Sequence, residues 1–99
     1  MARLVITIRA GRDAAAIIAM LADNAGPEVA ARYRRDIDAL YNRLVLFPRS
    51  GAPRPSFGRN ARLGVVEPYV VFYDYRPDVV TILRVLDGRR KLTRRLIRQ

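Results

Sequence analysis

The sequence contains no cysteine and no histidine. The first absence excludes a disulfide framework, a thiolate metal site and a cysteine nucleophile. The second removes the common zinc sites, the Ser-His-Asp and Cys-His arrangements, and the usual acid–base group near neutral pH. No metal and no cofactor is expected, so any chemistry must rest on arginine, lysine, tyrosine, carboxylates, hydroxyls or shape. Long apolar runs are missing too. Nothing approaches the roughly 20 residues that span a bilayer, and Arg3 and Arg9 would interrupt a signal-peptide core. The expected location is the cytoplasm, with no membrane contact.

Acidic residues are scarce, 9 against 19 basic ones, which leaves a formal net charge of +10. Such a balance points to nucleic acid, a ribonucleoprotein or an acidic protein partner. The charge is clustered. Between Arg84 and Gln99 stand Arg84, Arg89, Arg90, Lys91, Arg94, Arg95 and Arg98, with Asp87 as their only opposite. A length of 99 residues is enough for one ordinary domain, expected over 1–99.

Apolar residues alternate from Met1 to Arg9, as in a strand. Ala14, Ile17, Ile18, Leu21 and Ala22 then recur at helical spacing behind Gly11 and Asp13, predicting a helix from about Arg12 to Ala25. Pro27 suits a first helical turn, where its missing N–H has no intrahelical acceptor. Behind it Ala30, Tyr33, Ile37, Leu40, Tyr41 and Leu44 form one apolar stripe that carries a second helix to about Leu46. Residues 47–55 break all periodicity with three prolines and a glycine. Strands are expected at Arg62 to Glu67, Tyr69 to Tyr75 and Val79 to Leu86, followed by a short terminal helix around Leu92, Leu96 and Ile97. The predicted class is α+β, an antiparallel sheet packed against an N-terminal helical hairpin in the order β-α-α-β-β-β.

The third expected strand is apolar on both sides: Tyr69, Val71, Tyr73 and Tyr75 project one way, Val70 and Phe72 the other. Val79, Leu83 and Val85 oppose Val80, Ile82 and Leu86 in the fourth. A sheet apolar on both faces needs both faces covered, and one helical hairpin covers one. The second cover is the C-terminal segment, a second copy or a different chain; the high charge of the C-terminal segment favours a different chain. Arg84, placed on the face of Val80, Ile82 and Leu86, then needs a carboxylate or carbonyl partner, since an unpaired buried charge is costly.

Three segments carry a resemblance. They are Leu44-Val45-Leu46-Phe47-Pro48-Arg49-Ser50-Gly51, then Arg62 leading to Pro68-Tyr69-Val70-Val71-Phe72-Tyr73, then the run from Val80 through Arg84 to Asp87-Gly88-Arg89-Arg90. In this order and spacing the chain resembles the RelE/ParE family of type II toxins. The resemblance implies a toxin encoded beside a ParD-like antitoxin that wraps it. Antitoxin contacts are expected at Tyr69, Val71, Tyr73 and Arg84, and an acidic antitoxin would complement the basic toxin.

Two mechanisms share this family fold, so fold alone does not choose between them. One branch cleaves mRNA in the ribosomal A site, using basic residues and, in some members, a C-terminal tyrosine. The other binds DNA gyrase and poisons its cleaved-DNA complex. Carried over from the nuclease branch, the basic residue after the last strand is matched by Arg90. The basic position after the strand tyrosine is Val70, and the tyrosine position falls near Leu96. Arg62 is the remaining candidate for a catalytic base-rich strand, but arginine is a poor proton acceptor. The gyrase-inhibiting branch is therefore preferred, with Arg84, Arg89, Arg90, Lys91, Arg94 and Arg95 as target-binding residues and no catalytic residue. The alternative retains Arg90 and Arg62 as a nuclease pair acting on ribosome-bound mRNA.

Other constellations argue less. Asp36 and Asp38 point in different directions on their helix. Glu67 and Asp74 suit salt bridges with nearby arginines. Tyr69, Tyr73 and Tyr75 have the chemistry to stack on bases, but strand tyrosines more often pack. A third class is a plain nucleic-acid-binding module in which the stretch from Arg89 to Arg98 clamps phosphates.

Overall fold

A computed structural model describes residues 1–98. The elements are β1 (Arg3–Ile6), α1 (Ile8–Ala25), α2 (Pro27–Leu46), β2 (Ala52–Pro53), a 3-10 turn (Pro55–Phe57), β3 (Ala61–Val66), β4 (Tyr69–Arg76), β5 (Val79–Asp87) and α3 (Arg94–Arg98). The predicted α+β order is observed, with β2 added inside the proline-rich loop. The five strands form one sheet in the order β1-β5-β4-β3-β2. Short turns make β3, β4 and β5 antiparallel neighbours. The sheet is nevertheless mixed, not purely antiparallel, because β1 runs parallel to β5 with Leu4 opposite Val80. A whole helical hairpin separates β1 from the other strands, so no tight turn dictates its direction.

The first strand is shorter than the alternation implies, and α1 begins four residues before the expected Arg12, at Ile8. The cause is Thr7. Its hydroxyl accepts the Ala10 N–H at 3.1 Å, capping the helix. The same hydroxyl donates to the Leu83 carbonyl at 3.2 Å, beyond the last paired residue of β1. Gly11 and Asp13 thus lie inside α1 and do not start it.

Gly26, at φ +95°, alone joins the two helices, a backbone conformation that L side chains rarely adopt. Pro27 then occupies the first turn of α2, as expected. The hairpin covers Tyr69, Val71 and Tyr73 of β4 together with Val80, Ile82 and Val85 of β5, using Ala10, Ile37, Leu40, Tyr41 and Leu44. Val85 joins this side because the β4–β5 register jumps between Phe72 and Tyr73: Phe72 faces Arg84, whereas Tyr73 faces Ile82. The extra residue is a bulge that reverses the sidedness of everything after it. Arg84 therefore does not share a face with Val80 and Ile82, contrary to strict alternation.

The second face is covered by the chain itself. Phe72, Leu86 and Ile97 form a second buried cluster, flanked by Phe57, Leu63, Val70, Leu83, Leu92 and Leu96. Phe57 meets Phe72 edge-on, with ring centroids 5.1 Å apart. The expected cover from a different chain is thereby corrected to the C-terminal segment. Its charge is no obstacle, since Leu92, Leu96 and Ile97 turn inward while Lys91, Arg94 and Arg95 remain exposed.

One polar group in the hairpin is left over. The Tyr41 hydroxyl is buried and has no hydrogen-bond partner among the described residues. Burial, then the negative charges of Asp38 and Asp13, push its pKa up to about 12. Tyr41→Phe should raise stability by about 1 kcal/mol, because it removes a donor that burial desolvates without compensation. The pH sign follows from linkage. With the folded pKa above the unfolded value of 10.0, the protonated tyrosine favours the fold below pH 10.0, and that contribution is lost as pH rises towards about 12. Alkaline urea titrations should show a shallower loss of stability in the phenylalanine variant. Tyr69 and Tyr73, both held up mainly by burial, account for what remains. An unchanged alkaline profile would contradict this assignment.

Candidate functional site

On its β1 edge β5 loses its strand partner after Ile82, because β1 ends at Ile6. α1 fills the gap with side chains. The Asp13 carboxylate accepts the Val85 N–H at 3.1 Å. It also accepts two bonds from Arg84, from Nε at 2.6 Å and from an Nη at 3.0 Å. The other Arg84 Nη donates to the Leu96 carbonyl at 2.6 Å. One guanidinium thereby ties α1, β5 and α3 together. The Asp13 hydrogen bond holds the Arg84 pKa above its ordinary value, against the opposing effect of burial. The carboxylate and carbonyl expected for Arg84 are both present, and both belong to its own chain.

Beyond this node the C-terminal charges divide by partner. Asp87, at the end of β5, accepts the Arg89 backbone N–H and a bidentate pair from its guanidinium at 2.9 and 2.6 Å. That pairing holds the Asp87 carboxyl down to about 2. Arg98 donates to both Asp74 oxygens, at 2.7 and 2.8 Å, and to the Phe57 carbonyl at 2.6 Å. Asp74 thus makes the salt bridge expected of it, while Glu67 is exposed and forms no ion pair among the described residues. Arg90, Lys91, Arg94 and Arg95 are all exposed.

Arg89 and Arg90 rim a concavity of about 280 Å³ whose other walls include Ile17, Met20, Val85 and Leu86. Met20 is 42% exposed, so this groove pairs an apolar floor with a charged edge, in which Asp87 holds Arg89 and Arg90 is exposed. That combination suits a protein surface better than bare phosphate. The structure brings Arg89 and Arg90 together here, whereas Arg94 lies in a separate concavity with Gly58, Arg59, Asn60, Asp74, Arg76 and Arg98. The linear basic run does not form one clamp.

Other sequence candidates fall in the interior. Tyr69, Val71 and Tyr73 are 5%, 0% and 0% exposed, packed under the hairpin. Tyr69 stacks edge-on against Tyr33, centroids 5.7 Å apart. Val71 and Tyr73 are core residues with no surface to offer a partner, whereas Tyr69 shows its small remaining surface in the wall of the groove edged by Arg89 and Arg90. Arg84, 9% exposed, is likewise engaged within the chain. The Tyr73 hydroxyl donates to the Pro48 carbonyl at 2.7 Å and accepts the Gly51 N–H at 3.0 Å. A side chain at Gly51 would collide with Tyr73, which explains the glycine in the Pro-Gly loop. Arg62 donates to the Arg49 and Gly51 carbonyls at 3.0 and 2.7 Å. It braces the same loop.

Val70 and Leu96, the positions where the nuclease branch of the resembling family would carry reactive groups, both pack against the Phe72–Ile97 cluster. Asp13 was visible in the sequence only as a helix-start signal, although its position 71 residues before Arg84 makes it the central acceptor of this region. Nothing local in the sequence announces such a pair.

Comparison with known proteins agrees with this geometry. A family model described as the ParE toxin of type II toxin–antitoxin systems, parDE, matches residues 4–92. Toxin ParE3 of Caulobacter vibrioides is 32% identical over 96 residues, covering 97% of this chain and 96% of that protein. A solved chain from the chromosomal ParDE toxin–antitoxin system of P. aeruginosa superposes with a TM-score of 0.72 at 29% identity, covering 86% of this chain and 94% of the other. The chain belongs to the ParE toxin family of type II toxin–antitoxin systems.

Proposed function

We propose that this toxin acts as a single domain in the cytoplasm, inhibits DNA gyrase without cutting RNA, and is silenced by a ParD-like antitoxin bound directly to it. The observation that carries the choice of target is the environment of Val70 and Leu96. Both pack in an apolar cluster with Phe72, Leu86 and Ile97, and neither side chain can take or give a proton. Arg90 remains near the last strand, but a lone arginine supplies only electrostatic stabilisation. The groove edged by Arg89 and Arg90 has the mixed apolar and charged character of a protein-binding surface. No helix among the described residues is long and apolar enough to cross a membrane.

Expression of the toxin without its antitoxin should stop DNA replication and induce DNA-damage signalling while mRNA stays intact. Purified toxin should trap gyrase on cleaved DNA. Arg89→Ala and Arg90→Ala should each weaken trapping about tenfold, the scale of one interface anchor. Codon-phased cleavage of ribosome-bound mRNA that disappears in Arg90→Ala, with no effect on gyrase, would move the toxin to the nuclease branch.

A further inference from the structure

The concavity around Arg94 has a built floor. Arg98 lies across Gly58, so closely that a side chain at this glycine would clash with its guanidinium. Asp74 neutralises Arg98 through two hydrogen bonds of 2.7 and 2.8 Å. Asn60 is held in place by the bond from the Tyr75 N–H to its carbonyl at 3.1 Å. Around this floor stand Arg59 from the loop before β3, Arg76 from the end of β4 and Arg94 from the start of α3. All three are exposed, and none makes an ion pair among the described residues. The one carboxylate in the lining is already taken by Arg98, so among the described residues the three guanidinium charges have no ion-pair partner.

The trough continues. A neighbouring concavity shares Arg59 and Asn60 and adds Arg49 and Arg62, with Asp78 as the acid in its lining and Pro53, Ala61, Tyr75 and Pro77 as its less polar wall. A cleft lined by one sign of charge focuses potential and concentrates counter-ions of the other sign. We infer that Arg59, Arg76 and Arg94 form a binding site for the phosphodiester backbone of nucleic acid. An acidic protein is the competing occupant. The lining decides against it: the concavity of about 340 Å³ contains no apolar side chain, whereas protein interfaces are anchored at an apolar, well-packed centre. Phosphate contacts need only donors and charge. The site spans three elements, so it differs from a linear clamp along the C-terminal run, much of whose charge is held within the chain by Asp87 and Asp74.

The test uses the purified full-length toxin and fluorescein-labelled duplexes of about 20 base pairs, one of DNA and one of RNA, titrated by anisotropy over a range of salt. A triple variant, R59Q/R76Q/R94Q, should flatten the slope of log K against log salt by about 2.7 and weaken binding about 10²- to 10³-fold near 0.1 M salt. A matched triple on the helical hairpin, R12Q/R32Q/R35Q, should stay within about threefold of the parent. The duplex that shows the larger difference between the two triples identifies the source of the phosphates. Arg76→Glu alone, with circular dichroism to confirm folding, should shift binding in the same direction. Equal losses in the two triples, or no salt-dependent binding by the parent, would overturn the inference. So would a trough triple that keeps both duplexes but loses a polyglutamate peptide. Gyrase is absent from every arm, so failure here leaves the proposed target standing, and failure of gyrase trapping leaves this site standing.

Discussion

Asp13→Ala should destabilise the toxin by about 3–5 kcal/mol, the usual consequence of removing one partner of a buried ion pair. The side chains of Arg84 and Asp13 are only 10% and 15% exposed, so solvent screens the pair weakly. Removal of the carboxylate strands two Arg84 donors and the Val85 N–H, bonded to Asp13 at 2.6, 3.0 and 3.1 Å. Among the described residues, only the Leu96 carbonyl would still hold the guanidinium. Against a total stability of about 5–15 kcal/mol for an ordinary domain, such a loss brings the fold close to its limit. Urea titration should show a lower midpoint with an unchanged slope. The double variant Asp13→Leu/Arg84→Met should recover much of the loss, because it removes the stranded charge together with its acceptor. A loss below about 0.5 kcal/mol in Asp13→Ala, the range of ordinary surface substitutions, would mean that the pair contributes nothing to holding α1, β5 and α3 together.

The second large effect is expected at Ile97. Its side chain is 2% exposed and meets Phe72, itself 1% exposed. Ile97→Ala should cost about 2–5 kcal/mol, combining lost transfer energy with the cavity left behind. This measurement distinguishes the two possible covers of the second sheet face. With the C-terminal segment as the cover, the free toxin itself is destabilised, and a dye that binds apolar surface should report the opened Phe72 face. If a partner were the true cover, the free toxin would keep its urea midpoint and only its affinity for the antitoxin would change. The substitution leaves every charge in place, so an electrostatic explanation does not compete.

The candidate site was legible only in part. The exposure of Arg89, Arg90, Lys91, Arg94 and Arg95 follows from their charge and from the short apolar stripe of Leu92, Leu96 and Ile97 between them. Arg89 is neutralised by Asp87, two residues away, but Arg98 is neutralised by Asp74, which it meets across 24 residues. The trough arginines come from three separated elements, so no window of the sequence contains them together. The burial of Val71 and Tyr73 beneath the helical hairpin has a similar origin. Alternation showed that they share a side, but period-two spacing carries no information about which side receives the helical hairpin.

The sequence by itself determined the order of elements, the helical hairpin around Gly26 and Pro27, the three consecutive strands from β3 to β5, and the absence of any thiol or imidazole chemistry. These are consequences of local properties: apolar period, backbone restriction at glycine and proline, and residue inventory. Tertiary structure alone decided the parallel pairing of β1 with β5, because no short turn constrains a strand that returns through two helices. It decided the start of α1, since the Thr7 hydroxyl caps the helix and also reaches Leu83, 76 residues away. It decided the sidedness of Arg84 through a bulge that shifts the β4–β5 register. It also decided that α3 closes the second face, because the inward turn of Ile97 depends on contacts with Phe72 and Leu86 that are distant in sequence. In each case the deciding interaction joins groups that only the folded chain brings within reach, and local propensity does not specify such contacts.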